Sequence, residues 1–361
     1  MRALIWHWGR RGAGPLFAAN LAQAMAQSGV QARLSLAAGA EILAGPNPPE
    51  CDWREPTYTS APGFAARFLA SPLFSARTRR NLAQNSPELA ICAMPALLDA
   101  RMHSALRAAR IPYAVVVHDA TAHPGEWLKF QLLGQRRLLR GARCLFTLTE
   151  HVQTALTDQG FGTNGQRIHR LWHPLIGLAP SAAQPRPPTA PPRILHFGRL
   201  LPYKGLDLLA GALEILGPDP GFELRICGEG PNSRSLERLK SQPGVQVEQR
   251  WFHDSEIPSL LGWADALVLP YREASQSGVA ALALAAGKHI LATNVGGLPE
   301  QLAGQPHALL CAPSAPAVAE GLAQLCQRIK NGEQASPPVN AAADWRALAT
   351  SMLEALDRSA L

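Results

Sequence analysis

Residues Ile194–Gly205 read I-L-H-F-G-R-L-L-P-Y-K-G: a short apolar run, a glycine, two cations separated by a Leu-Leu-Pro-Tyr turn, and a second glycine. The run Ile194–Phe197 predicts a buried strand, and the amphipathic stretch Leu206–Leu216 predicts the helix that follows it. Strand, glycine turn and helix in that order is the repeating unit of a parallel sheet covered on both faces. Downstream the unit recurs. Strands are expected at Glu223–Cys227, Val245–Gln249, Ala266–Leu269 and His289–Ala292, with helices near Ser233–Lys240, Ile257–Gly262, Val279–Ala286 and Ala315–Lys330. A last helix is expected over Asn340–Leu356, capped by Asn340 and with Trp345, Leu348, Met352, Leu353 and Leu356 close to one face.

Upstream, Leu178–Arg193 holds six prolines, which neither a helix nor a central strand accommodates, and reads as a linker. Before it the same pattern appears once more. Ala3–Trp8 is a strand, Gly9–Pro15 a glycine-rich turn and Leu16–Ser28 a helix, followed by strands near Ala32–Leu36, Leu89–Ala93, Ala114–Val117 and Cys144–Thr147. A length of 361 residues suits two such domains. The expected division is residues 1–177, a linker 178–193, residues 194–338 and a closing helix 339–361.

A hydrophobic content of 47% excludes a disordered or fibrous chain. No apolar run reaches 18 residues and the first strand leads into Gly9, Arg10 and Arg11, so a cytoplasmic protein without leader or membrane span is expected. The six cysteines are scattered without a C-x-x-C pair and read as buried thiols. Charge is uneven: up to Gly177 there are 19 Lys and Arg against 10 Asp and Glu, and after it 15 against 17. A basic first half calls for an anionic partner. Its densest segment, Phe64–Arg80, interleaves Phe64, Phe68, Leu69, Leu73 and Phe74 with Arg67, Arg77, Arg79 and Arg80. That mixture fits an anionic membrane surface on the inner face of the cell membrane, or equally a surface helix with solvated arginines. No nucleic-acid motif accompanies the charge, so no nucleic-acid partner is expected.

Glycine turns at strand ends present backbone N–H groups and a helix dipole to an anion. Gly9–Pro15, with Gly12 and Gly14, lacks the full dinucleotide spacing. Gly198–Gly205 adds two fixed charges, Arg199 and Lys204, which together can neutralise a diphosphate leaving group. Gly228-Glu229-Gly230 ends the next strand, and Ser277-Gly278-Val279 opens a small-residue helix. No D-x-D sequence occurs, so no metal site is expected at that diphosphate. His118, followed by Asp119, leaves a buried strand where it can hydrogen-bond a sugar hydroxyl or a phosphate, with Asp119 fixing its tautomer; a structural role capping the next helix is the alternative. His7, His123, His173 and His196 also lie near strand ends, and His173 and His196 are the two considered as lining residues.

In order, GRLLPYKG (198–205), LRICGEGP (224–231), ADALVLPY (264–271), QSGV (276–279) and ATNVGGLPE (292–300) resemble family four of the retaining glycosyltransferases. VVHDA (116–120) and FTLTEHVQTAL (146–156) extend the likeness to the first half. The resemblance implies the GT-B fold: two Rossmann-like, doubly wound α/β domains facing across a cleft, with a C-terminal helix carrying Trp345 that crosses back to the first domain. It implies a nucleotide-diphosphate-sugar donor held by the second domain through Gly198, Arg199, Lys204, Gly228, Glu229, Gly230, Ser277, Gly278 and Val279. The first domain would hold a glycan or polyprenyl-diphosphate-linked acceptor, with Gly12 and Gly14 near phosphate and acceptor and His118 on the donor sugar. Transfer would retain anomeric configuration without metal or other cofactor, in bacterial surface polysaccharide assembly. One departure stands out, since the family's paired glutamates are reduced to Glu273, and Ala281–Ala283 occupies the place of the second. The subgroup with P-Y-x4-Q-S-G-V in place of the pair is the nearest pattern. The alternatives are a non-catalytic sugar-nucleotide or glycan-binding protein and a GT-B sugar-nucleotide epimerase.

Overall fold

The computed structural model describes residues 1–58, 63, 71–121, 131–178, 181, 187, 190–333, 335 and 339–357. Residues of Met1–Ala122, Trp127–Trp172 and Ala342–Leu361 form one compact unit, and those of His173–Ala341 a second. The boundaries therefore fall at 172/173 and 341/342 and not at 177/178 and 338/339. Local contacts fix them. The Trp172 indole donates to Asp344 within the first unit, whereas the Val339 N–H donates to Ala285 O and Gly177 lies against Ala341 within the second. Most of the expected linker, residues 64–70 of the basic segment, the side chains of Leu73 and Phe74, and His123 lie outside the described residues.

In the first unit, strands β1 (Arg2–His7), β2 (Gln31–Ala37), β3 (Trp53–Glu55), β4 (Leu89–Cys92), β5 (Tyr113–Val117), β6 (Cys144–Thr147) and β7 (Arg167–Arg170) form a parallel sheet of order β3-β2-β1-β4-β5-β6-β7. Helices α1 (Ala13–Gln27), α2 (Ser71–Asn85), α3 (Asp99–Ala109), α4 (Gln131–Gly141) and α5 (Glu150–Asp158) connect them. β4, β5 and β6 are buried along their whole length, which is why they read as unbroken apolar runs. The edge strands β3 and β7, with sequences W-R-E and R-I-H-R, lack that signal and escaped the sequence reading. Helix α1 begins at Ala13, three residues earlier than the pattern indicated. Pro15 sits in its first turn, where the missing N–H costs no helical hydrogen bond.

In the second unit, β8 (Arg193–Phe197), β9 (Glu223–Gly228), β10 (Val245–Gln249), β11 (Ala266–Leu269), β12 (His289–Thr293) and β13 (Ala308–Cys311) are parallel in the order β10-β9-β8-β11-β12-β13. They alternate with α6 (Leu206–Leu216), α7 (Arg234–Lys240), α8 (Ile257–Trp263), α9 (Gly278–Ala285), α10 (Leu298–Gln301) and α11 (Ala315–Lys330). Ile194, Leu224, Ile226, Val268 and Leu291 on the sheet bury against Leu209, Leu213, Val318 and Leu322 of α6 and α11. Ser233, Ser277 and Ser314 each accept the N–H three residues on, capping α7, α9 and α11. The edge strand β13, with Leu310 exposed, also went unread. The chain's last helix, α12 (Ala341–Asp357), packs in the first unit, where Trp345 meets Phe17 edge-on at 4.9 Å.

Both sheets are doubly wound, with a point where the strand order reverses: between β1 and β4 in the first and between β8 and β11 in the second. A crevice opens at the carboxyl ends of the strands at such points. At the second of them Gly205 adopts φ 68°, and a Cβ there would stand 1.8 Å from the carbonyl oxygen of Pro270. Gly217 has a similar φ of 82° and open space around it. Gly205→Ala is therefore expected to cost well over the ~1–3 kcal/mol of a strained φ alone, and Gly217→Ala no more than that range. Urea denaturation of the two variants measures the difference.

Candidate donor and acceptor half-sites

The second unit gathers its loops at the β8/β11 reversal through close backbone approach. The Gly198 N–H donates to Cys227 O, and the Leu200 N–H to Glu229 O at 2.8 Å, so the loop after β8 lies on the loop after β9. A Cβ on Gly228 would reach Gly198 O at 1.7 Å, and one on Gly230 would reach Leu200 O at 2.4 Å. On the other side the Arg272 N–H donates to Tyr203 O, and the Arg272 guanidinium binds both oxygens of Asp207 in the first turn of α6. That pairing holds the Asp207 carboxyl below its ordinary range. The glycines of G-R-L-L-P-Y-K-G and G-E-G thus let two loops share one surface.

Arg199 and Lys204 are brought together on two tyrosines. Arg199 donates to the Tyr203 hydroxyl at 2.8 Å, and Lys204 Nζ stands 3.7 Å from the centre of the Tyr271 ring and 5.0 Å from that of Tyr203. Cation–π contact of this kind orders a lysine whose stem would otherwise sample many rotamers. Tyr271 is fully buried and its phenol is pushed up to about 12 by burial, against smaller opposing effects of the Ser277 side chain and the Arg199 charge. The tyrosine therefore stays neutral beneath the two cations.

Ser277, Gly278 and Val279 form the start of α9 beside them. Val279 Cγ2 lies 3.6 Å from the position a Cβ would take on Gly198. Ser277 is held on both backbone groups by one side chain: its N–H donates to Gln301 Oε1 and its carbonyl accepts from Gln301 Nε2, each at 2.9 Å. The Ser277 hydroxyl accepts from Ala280 N, which leaves the Gly278 and Val279 N–H groups at the positive end of the helix. A fixed helix start beside two ordered cations has the charge and the N–H groups to accept an anion such as a diphosphate. Gln301 and Tyr271 escaped the sequence reading as site residues. Gln301 lies 24 positions from the serine it clamps, and no spacing rule connects the two.

Two expected lining residues are placed differently. His196 is completely buried; its Nδ1–H donates to Val268 O at 3.1 Å, and Nε2 has no hydrogen-bond partner. It lies beneath the loop because β8 is a central strand, and burial pushes it down to about 4, with the Lys204 charge adding to the effect. His173 is half-buried, with Nδ1 on Pro174 O. Glu273 is exposed two residues beyond Tyr271, and Glu229 is exposed in its turn.

The first unit builds a second half-site at the β1/β4 reversal. His7 donates from Nδ1 to Met94 O at 2.8 Å, and the Nε2 of His118 donates to Ala93 O at 3.0 Å, so both histidines are moored to the chain leaving β4. A backbone carbonyl thus holds the His118 ring. Phe17 of α1 meets His118 edge-on at 4.7 Å. Gly14 and Gly9 flank His7 so tightly that a Cβ on either would stand 2.3 Å from its Nε2. Gly12, at φ 81°, caps α1 and is exposed. Burial pushes His7 down to about 4. Among the described residues, no group of three His, Cys, Asp or Glu side chains is placed to hold a metal ion, and no helix is long and apolar enough to cross a membrane.

Residues 12–172 match the family described as glycosyl transferase 4-like domain, and residues 191–328 match glycosyl transferases group 1. The chain carries the domains of the group 1 glycosyltransferases. These group 1 domains are 28% identical over 257 residues to a glycogen synthase of Mycobacterium tuberculosis, which is 67% of this chain and 62% of that protein. They are 32% identical over 116 residues to a GDP-mannose:glycolipid 4-beta-D-mannosyltransferase of Xanthomonas campestris, covering 29% of this chain and 31% of that one. The chain spans less than two thirds of the length of these curated relatives. Among solved structures, HepE of Anabaena in complex with UDP-glucose superposes over the full length of both chains with a TM-score of 0.66 at 17% identity. The likeness establishes the fold, two Rossmann-like domains as in the GT-B glycosyltransferases.

His7 and His196 set an acid limit to stability. Each has an ordinary value of 6.5 and a folded value of about 4, so between those limits the unfolded chain binds more protons. Their contribution is full above pH 6.5 and is lost as pH falls towards 4. Asp99, buried and pushed up from 3.8 to about 7, acts in the opposite sense: the folded chain holds its proton, and that contribution is lost as pH rises through 7. Comparison with His196→Gln cancels the Asp99 effect. From pH 6.5 to 5 the wild type should lose about 2 kcal/mol more than the variant, read from urea denaturation at each pH.

Proposed function

We propose that the protein is a retaining, metal-independent glycosyltransferase that moves a sugar from a nucleotide-diphosphate-sugar to a glycan or lipid-linked acceptor. The observation that carries this reading is the convergence of Arg199, Lys204 and the clamped start of α9 on one side of the β8/β11 reversal. In this reading Arg199, Lys204 and the Gly278 and Val279 N–H groups bind the diphosphate, and Gly198, Gly228 and Gly230 let it approach the backbone. Glu229 and Glu273 flank the sugar and ribose. The first unit takes the acceptor, with Gly12, Gly14 and His118 at its reactive end.

The acceptor hydroxyl attacks the anomeric carbon on the face from which the diphosphate departs. The new glycosidic C–O bond forms as the bond to the diphosphate oxygen breaks, and the departing nucleoside diphosphate takes the hydroxyl proton. Charge grows on the leaving oxygens, so cations fixed before the reaction lower the barrier more than a protein base would. UDP-glucose bound by HepE and the glycolipid acceptor of the Xanthomonas enzyme support the two substrate classes. A place in bacterial surface polysaccharide assembly follows in this reading, with the protein cytoplasmic and its basic first half resting on the inner face of the membrane.

A second reading, a sugar-nucleotide binder without transferase activity, is favoured by the exposure of Glu273 and the apolar Ala281–Ala283 where a second carboxylate belongs in the family pattern. A thermal-shift panel of UDP-, GDP-, ADP- and dTDP-sugars without added metal addresses both. A donor at 100 times its Kd should stabilise the fold by about 2.7 kcal/mol. Arg199→Ala and Lys204→Ala should each weaken that donor by about tenfold or more, and Gln301→Ala, which frees Ser277, should weaken it to a smaller degree. An unchanged shift in the Arg199→Ala/Lys204→Ala double variant overturns the donor site. A donor shift without sugar transfer to any glycan or glycolipid acceptor selects the binder.

A further inference from the structure

The first unit contains a cavity of about 500 Å³ that belongs to neither half-site. It lies between α3 and α4 on the helix layer and is lined by His103, Ser104, Arg107 and Arg137, with Ala100, Ala108 and Gly134 as small neighbours. Arg107 and Arg137 come from different helices, yet both charges reach His103 and, after burial, hold its imidazole below its ordinary value. Among the described residues no carboxylate answers them. Asp99 is the one acidic residue in the sequence of either helix, and it is buried against Trp6 and Ala96 N. Among the described residues neither arginine has an ion-pair partner. Three further cations, Arg110, Arg136 and Arg140, stand exposed nearby in sequence.

Two like charges held around one concavity without a counter-charge raise each other's energy, and an anion in the cavity removes that cost. The lining also selects among anions. Two guanidinium forks and a hydroxyl suit the oxygens of a tetrahedral phosphate, which accepts several charge-assisted hydrogen bonds at once. His103 stands in the wall, with its Nε2 buried on the side of Gly141 and the Tyr113 hydroxyl, which is itself committed to Leu138 O. The volume exceeds that of inorganic phosphate, while among the described residues no aromatic ring other than His103 lines it to stack on a nucleobase. We propose that the α3–α4 cavity of the first unit binds a phosphomonoester through Arg107, Arg137 and Ser104, with His103 beside them in the wall. This site does not rest on the transferase reading.

A dianion beside His103 favours its cationic form, so occupancy moves the imidazole resonances of the full chain in NMR at pH 7.5. Titration with inorganic phosphate should shift His103 saturably. Arg107→Gln/Arg137→Gln should weaken the affinity by about tenfold or more, whereas Arg140→Gln, on the exposed face of α4 outside the cavity, should leave it within twofold. Both arginines of the pair are exposed, so the variant retains its core. A non-saturating shift, or an affinity equal in wild type and double variant, overturns the site. Flotation on phosphatidic acid vesicles, against phosphatidylglycerol vesicles that carry only a phosphodiester, identifies the source. Loss of flotation on phosphatidic acid in the double variant assigns a lipid headgroup, and unchanged flotation together with lost phosphate binding assigns a soluble phosphomonoester.

Discussion

Close approach of backbone to backbone at the β8/β11 reversal is the constraint on which the candidate donor half-site depends. The carbonyl oxygens of Gly198, Pro270 and Ala274 occupy the space where a Cβ would stand on Gly228, Gly205 and Gly296. Each contact joins the loop after one strand to the loop after a neighbour, so loops from β8, β9, β11 and β12 behave as one surface. Any side chain at these glycines would separate them by an ångström or more. The charges that ride on the loops would then lose their mutual geometry.

On that surface the electrostatics are arranged in layers. Arg199 and Lys204 lie over Tyr203 and Tyr271, and below Lys204 the buried His196 is kept neutral by its lack of solvent. A protonated imidazole there would add a third positive charge in a medium too apolar to screen it. The neutral layer lets the cations face outward. Gln301 supplies the remaining element by fixing Ser277 through both backbone groups, which sets the direction of the first turn of α9.

The first unit solves a different problem with polar groups in its core. Trp6 donates to Asp99, Trp8 to Ser35 and Trp53 to Glu55, and Glu55 faces Arg101 across 4.0 Å with both side chains almost wholly buried. A buried carboxyl group is tolerated only when donors surround it, and two indoles, Trp6 and Trp53, carry that function here without adding charge. Among the described residues, the same unit leaves Arg107 and Arg137 without an ion-pair carboxylate on the helix layer.

The alternation of apolar run and amphipathic helix determined two doubly wound domains from the sequence, because strands buried on both faces can only be written as continuous hydrophobic runs. The same reading singled out Arg199, Lys204, Ser277 and His118 as candidates, since residues that follow such a run emerge at the carboxyl edge of the sheet. Edge strands β3, β7 and β13 were illegible, for each is only three or four residues long and none is buried along its whole length. Tertiary structure alone decided that His196 lies under the loop, that Tyr271 carries Lys204, that Gln301 holds Ser277 and that two arginines 30 positions apart share a cavity. These are contacts between segments distant in the chain, and their distances depend on how layers pack; no local pattern of residues encodes them.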